Sequence, residues 1–165
     1  MEAENASERR ILALDYGAKR VGVAITDPTG TIAQPLTTLH HGRREPPLVQ
    51  QIAALVASHH AELVVLGLPI HMDGRRGPEA ERVERLGTLV AERLGVVVEY
   101  VDERWTSIAA ERALQEMGAQ PTGRSAPPRS KVAKRRQAEK GRVDAVAATL
   151  LLRTYLARRA AEARC

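Results

Sequence analysis

The hydrophobic period of this chain changes once, and that change restricts the fold more than any other feature. Ile11–Leu14, Val21–Thr26 and the stretch around Thr31–Leu39 are short apolar runs divided by turn residues. Asp15-Tyr16-Gly17 closes the first run, and Asp27-Pro28-Thr29-Gly30 separates the second from the third. In that turn proline presets φ and glycine accepts a positive one. Such close spacing predicts an antiparallel meander of three strands. From Leu48 onward the spacing is helical: Leu48, Ile52, Leu55 and Val56 recur after Pro46-Pro47. Leu63–Leu68 reads as a buried strand. Pro78 opens a helix with Val83, Leu86, Val90 and Leu94 on one face and Gly95 as its stop. Val96–Val101 is the fifth predicted strand. Thr106 suits the N-cap of a helix carrying Ile108, Ala109, Ala113 and Met117 and ended by Gly118. Val143, Val146, Ala147, Leu150 and Leu151 form the apolar face of a last helix. The order β-β-β-α-β-α-β-α-α predicts an α/β fold, a mixed sheet with helices on its faces.

The 165 residues suit one domain, expected over 9–160 with tails at 1–8 and 161–165. No internal repeat or linker interrupts it. The chain has no Phe, one Trp and three Tyr, so its core must come from Val, Leu, Ile and Ala. No apolar run approaches the roughly 18 residues of a membrane span. The short acidic start, Met1–Glu8, has no apolar segment of a secretory signal. The single cysteine, Cys165, can form neither an internal disulfide nor a zinc cluster. A cytoplasmic protein without membrane contact is the expectation.

Net charge is +5, but it is unevenly spread. Between Gly118 and Val143 stand Arg124, Arg129, Lys131, Lys134, Arg135, Arg136, Lys140 and Arg142, opposed by Glu139 alone, so the remainder of the chain is net acidic. One basic patch of this kind is an electrostatic footprint for an anionic polymer. The Gly- and Pro-containing start of this stretch predicts a mobile basic loop over about 118–141.

Carboxylates stand at the ends of the predicted elements. Asp15 ends the first strand, Asp102-Glu103 end the fifth, and Asp144 lies in the first turn of the last helix. Each alone also suits a turn or a helix cap. Gathered together they would repel one another unless a cation neutralised them. Hard cations take oxygen ligands, and two such ions about 4 Å apart can clamp the attacking and leaving oxygens of a phosphodiester. An acidic cluster beside a basic patch is the equipment of a nuclease. Which of Asp102 and Glu103 points inward stays open, because one residue of strand offset reverses the face.

A second stretch, Leu66-Gly67-Leu68-Pro69 followed by Met72-Asp73-Gly74-Arg75-Arg76-Gly77, runs from a strand through a glycine-rich loop to a helix start. That arrangement offers backbone N–H groups and two arginines to a phosphate, although the Gly-Lys-Ser/Thr of a Walker A loop is missing. His40-His41 and His59-His60 are adjacent pairs expected to face solvent, and His71 is a lone loop histidine. Trp105 is expected in the core rather than stacked on a base.

These residues resemble the motifs of the YqgF family, RNase H-like proteins described as pre-16S rRNA nucleases or as Holliday-junction-resolvase-like. Leu14-Asp15-Tyr16-Gly17-Ala18-Lys19-Arg20-Val21-Gly22-Val23-Ala24 is similar to its opening motif. Gly67-Leu68-Pro69 with Met72-Asp73-Gly74 resembles the second motif, and Asp102-Glu103-Arg104-Trp105-Thr106-Ser107 the third. Lys140-Gly141-Arg142-Val143-Asp144-Ala145-Val146-Ala147-Ala148 resembles the last. The motifs occur in the family's order and span about residues 10–157. Two departures stand out: Trp105 replaces an aliphatic residue, and the basic loop is longer and more basic than in the family.

The resemblance implies an RNase H-like fold, a five-stranded mixed sheet of order 3-2-1-4-5 flanked by helices. It implies metal-dependent phosphodiester hydrolysis with Mg²⁺ or Mn²⁺ held by Asp15, Asp102, Glu103 and Asp144. The substrate would be RNA, in 5′-end maturation of pre-16S rRNA, with ribosomal precursor particles as its setting; branched DNA is the rival substrate. Lys19, Arg20, Arg75, Arg76, Arg104, Arg129, Lys131, Lys134, Arg135, Arg136, Lys140 and Arg142 would hold backbone phosphates, in a monomer or a homodimer. A non-catalytic RNA-binding assembly factor is the competing expectation from another class. An actin-like ATPase is set aside, because those enzymes close two such domains around a nucleotide.

Overall fold

Five strands form one sheet of order β3-β2-β1-β4-β5. The structure, a computed structural model, describes residues 9–42, 46–104, 106 and 129–165, with side chains in the last segment described from 139. The strands are β1 (Arg10–Tyr16), β2 (Arg20–Thr26), β3 (Ala33–His40), β4 (Ala61–Leu68) and β5 (Val97–Asp102). The helices are α1 (Leu48–His59), α2 (Pro78–Leu94) and α3 (Arg129–Ala163). The meander is antiparallel, β1 with β2 and β2 with β3. Both β1–β4 and β4–β5 are parallel. The expected mixed sheet and its strand order are therefore present.

Local chemistry accounts for the boundaries. Pro78 occupies the first turn of α2, where its missing N–H is no loss, and Gly95 ends the helix at φ 65°. Pro35 sits in β3, an edge strand where a missing ladder donor is tolerated. β4 lies inside the sheet and is buried on both faces, which is why Leu63–Leu68 reads as a continuous apolar run.

Alternation along the strands divides the core in two. Leu12 and Leu14 of β1, with Val21, Val23, Val64 and Leu66, pack against Ile52 of α1 and Val83, Leu86 and Val90 of α2. Ile11 and Ala13, with Ala24, Val65 and Val101, pack against Ala148, Leu151, Leu152 and Tyr155 of α3.

Two expectations are corrected. The basic stretch expected as a loop over 118–141 is helical from Arg129 onward, and the helix continues to Ala163, into the stretch expected as a tail from 161. The reason is composition: 131–140 contains no Gly or Pro and is built from Lys, Arg, Gln, Ala, Glu and one Val, mostly good helix formers. The buried face of α3 also differs from the expected one. Ala145, Ala148, Leu151, Leu152 and Tyr155 are buried, whereas Val143 is exposed. The tail expected at 1–8, the 118–128 part of the loop, the helix expected after Thr106 and the environment of Trp105 lie outside the described residues.

Candidate active site

The strand parity that divides the core also aims the acidic side chains. In β1, Ile11 and Ala13 face α3, so Asp15 does too. In β5, Val101 faces α3, and Glu103 keeps that parity as the chain leaves the strand. Asp102 takes the opposite face. The choice left open by the sequence is thereby made by the register of β5 against β4, in which Leu68 pairs Asp102. The Glu103 N–H donates to the Leu68 carbonyl at 3.1 Å, and Thr106 Oγ1 donates to the Glu103 carbonyl at 2.9 Å. These bonds fix the turn that carries the carboxyl.

Glu103 hydrogen-bonds Asp15, although β4 lies between their strands. Gly67 makes this possible. A Cβ at residue 67 would lie 2.6 Å from Glu103 Oε1, closer than any real Cβ contact. The glycine expected to serve a phosphate loop thus leaves room for a carboxyl. Burial is the largest influence on both acids and raises both pKa values. The Asp15 charge adds to this at Glu103, which is pushed up to about 8. Two half-buried carboxyls side by side cannot both ionise cheaply.

Asp144 reaches the same end of the sheet through a second glycine. Asp15 pairs Gly22 across β1 and β2, and a Cβ at residue 22 would collide with the backbone carbonyl of Asp144. Bare backbone at Gly22 therefore sets how closely α3 rides on β2. Thr38 Oγ1 donates to the Gly141 carbonyl at 2.7 Å and ties the same part of α3 to β3. The Asp144 charge contributes to raising the pKa of Asp15. Its carboxylate, however, accepts a 2.8 Å hydrogen bond from Arg20 Nε. Arg20 and Asp144 also line an open cavity with Lys140.

Asp102 does not join this group. Arg104 donates to it from Nε at 2.8 Å, from NH2 at 2.6 Å and from its backbone N–H at 2.9 Å. The guanidinium holds the Asp102 carboxyl below the usual range. Arg104 is in turn paired with Asp102. Arg75 pairs Asp73, and Arg76 pairs Glu84 at 2.8 Å. Both pairs are solvent-exposed and so are weak and exchangeable. Lys19, Lys140 and Arg142 are exposed. Arg129, Lys131, Lys134, Arg135 and Arg136 lie on the α3 backbone, and their side chains fall outside the description. His40 is exposed as expected, but His41 is half-buried and stacks on Tyr16. Sequence reading passed over this pair, since nothing in the spacing of residues 16 and 41 announces contact.

The donor set is all oxygen, which fits a hard divalent cation. Asp15 and Glu103 already meet, and a cation would offset the repulsion between their charged forms. Among the described residues, no three acidic, His or Cys side chains converge at ligand distance as they stand. Asp144 is held instead by Arg20, through its Oδ2.

A family model described as RuvX, Holliday junction resolvase, matches residues 9–158. A protein of Chloroflexus aurantiacus named "Putative pre-16S rRNA nuclease" is 41% identical over 152 residues, 91% of this chain and 88% of its own length. A protein of the same name from Clostridium botulinum is 37% identical over 149 residues, 90% and 97% of the two chains. Among solved structures, Thermus thermophilus RuvC in complex with a Holliday junction substrate superposes with a TM-score of 0.54 at 16% identity. It covers 92% of this chain and 96% of that one, a likeness of fold alone. With the acidic residues of the motifs placed at one end of an RNase H-like sheet and the family model spanning nearly the whole chain, the protein belongs to the RuvX family, the YqgF family that its four motifs resemble.

Proposed function

We propose that this chain is a metal-dependent nuclease that cleaves RNA phosphodiester bonds in maturation of the 5′ end of pre-16S rRNA, in the cytoplasm and on ribosomal precursor particles. The half-buried Asp15–Glu103 pair, two carboxyls side by side at one end of the sheet, carries this reading. A fold gains nothing from pressing two half-buried carboxyls together, so the pair points to a cation. Asp15 and Glu103 would hold Mg²⁺ or Mn²⁺, with Asp144 as the third ligand. When bound, the ion polarises a phosphoryl oxygen and lowers the pKa of a water. Arg20 and Lys140, which share a cavity with Asp144, orient the scissile phosphate. Lys19, Arg142 and the basic start of α3 draw in the flanking backbone. No side chain acts as nucleophile, and Asp102 has no catalytic part.

Branched DNA is the second reading, favoured by the resolvase description of the family model. A homodimer would suit a two-fold junction, a monomer an RNA end. The test incubates the protein with a single-stranded RNA and a four-way DNA junction at matched salt, with Mg²⁺, Mn²⁺ or EDTA. The expected result is metal-dependent cleavage of the RNA, lost in Asp15→Asn while binding persists. Preferential cleavage of the junction selects the second reading. Salt-sensitive binding without cleavage of either substrate overturns both in favour of an assembly factor.

A further inference from the structure

The cavities of the described residues differ in charge. One at the far end of the sheet mixes Arg9, Arg158 and Arg159 with Glu62, Glu99 and Glu162, and so selects no ionic ligand. Another, beside Asp144, belongs to the candidate active site. A third, of about 640 Å³, opens between the end of β1, the start of α1 and the side of α2. Its size is within the range of ligand cavities, ~300–1,000 Å³. Among the described residues no acidic side chain lines it, and it combines aromatic, apolar and cationic walls.

The aromatic wall is Tyr16 stacked on His41, with ring centroids 5.2 Å apart and planes 24° from parallel. His41 is fixed by a 2.8 Å hydrogen bond between its Nε2 and the Gly17 carbonyl. The opposite wall is one stripe of α2. Arg82, Arg85 and Leu89 lie at helical spacing, so their side chains share a face. Among the described residues Arg85 pairs only with exposed Glu81, at a long 3.8 Å, too weak to withhold it from a ligand. Tyr16 directly follows Asp15, so their Cα atoms are about 3.8 Å apart, while their side chains point to opposite faces of the sheet. A chain lying in the groove need only cross the end of β1 to reach the carboxyl pair.

We propose that this groove binds a single-stranded RNA segment next to the scissile phosphate, with a base on the Tyr16–His41 rings and phosphates on Arg82 and Arg85. The chemistry matches: flat rings accept any base, and paired guanidinium groups accept a sugar-phosphate backbone. The proposal deepens the nuclease reading and rests on it for the choice of RNA.

The test measures binding in EDTA, where no cleavage is needed. Anisotropy of a labelled ten-nucleotide RNA, the same strand as DNA, and an RNA duplex is read with wild-type protein, Arg82→Ala/Arg85→Ala and Tyr16→Leu. The arginines are exposed on α2, so their removal leaves the fold intact. Single-stranded RNA affinity is expected to fall about 10-fold in the double variant, with duplex affinity unchanged. Its salt slope should flatten by about 1.4, two phosphate contacts at ~0.7 each. Tyr16→Leu is expected to abolish quenching of a 2-aminopurine placed in the strand. Equal loss on strand and duplex, or no loss on either, overturns the groove. DNA bound as well as RNA overturns the assignment to RNA. If wild-type protein shows no metal-dependent cleavage but the variants still weaken strand binding, the nuclease reading fails and the groove stands.

Discussion

Glu103 meets Asp15 over Gly67: a Cβ at residue 67 would stand 2.6 Å from Glu103 Oε1, whereas the bare glycine lets the carboxyl cross β4 to its partner. The two glycines of the site give opposite predictions. At Gly67 the obstructed atom is the tip of a flexible side chain, so Gly67→Ala should fold normally but turn Glu103 away. We expect near wild-type thermal stability with divalent-cation affinity reduced roughly 10-fold or more, comparable to losing a supporting partner of a ligand. At Gly22 the obstruction is the backbone of Asp144, which cannot rotate aside. Gly22→Ala should therefore destabilise the fold by about 1–3 kcal/mol through overpacking of α3 on β2. Calorimetry and a cation titration on both variants separate the two effects; equal behaviour would contradict this account.

The carboxyl pair makes metal-free stability depend on pH. Glu103 is raised from its ordinary value near 4.5 to about 8, so the fold favours its protonated form. Its contribution is full below pH 4.5 and is lost as pH rises through 8. In EDTA, wild-type Tm should decline across that window. Glu103→Gln, which cannot ionise, should show a flatter profile and exceed wild type at pH 8. Added Mn²⁺ should restore wild-type Tm at pH 8. Parallel profiles for the two proteins would refute the raised pKa of Glu103.

Asp102 and Glu103 are neighbours with different partners, Arg104 for the first and Asp15 for the second. Asp102→Asn loses its hydrogen-bonded pair with Arg104 but leaves Asp15 untouched. We expect cleavage within a few-fold of wild type and a small loss of stability. Glu103→Gln should lower cleavage by roughly 100-fold or more, at least what an outer-shell ligand partner is worth. Rates measured at saturating Mg²⁺ decide, and the reverse ranking would transfer the ligand role to Asp102.

Arg20 holds Asp144, the proposed third ligand of the cation. Its 2.8 Å bond to Asp144 is mostly shielded from water, and such a pair is worth about 1 kcal/mol. Arg20→Gln should release Asp144 and raise Mn²⁺ affinity about 5-fold in the absence of nucleic acid, while weakening nucleic-acid binding. Titration calorimetry checks the first effect. Affinity that stays the same or falls would show that Asp144 is no ligand.

The apolar pattern of this chain determined its strands, two of its helices and their stops. Leu12 and Leu14 alternate with Ile11 and Ala13, and Pro78 and Gly95 mark the ends of α2, because side-chain period and backbone freedom are local properties. Asp15, Glu103 and Asp144 were legible as acids at element ends, since strand ends and helix starts can be read from neighbours. The basic stretch misled because charge speaks for solvation and says little about backbone; its Lys, Arg, Ala and Gln residues suit the start of α3 equally well. Which acid of the Asp102–Glu103 pair faces Asp15, why a bare residue 67 lets Glu103 reach it, and that Tyr16 meets His41 were decided only by the tertiary structure. Each depends on the register of one strand against another, and register is set by packing between residues far apart in sequence, which no local pattern encodes.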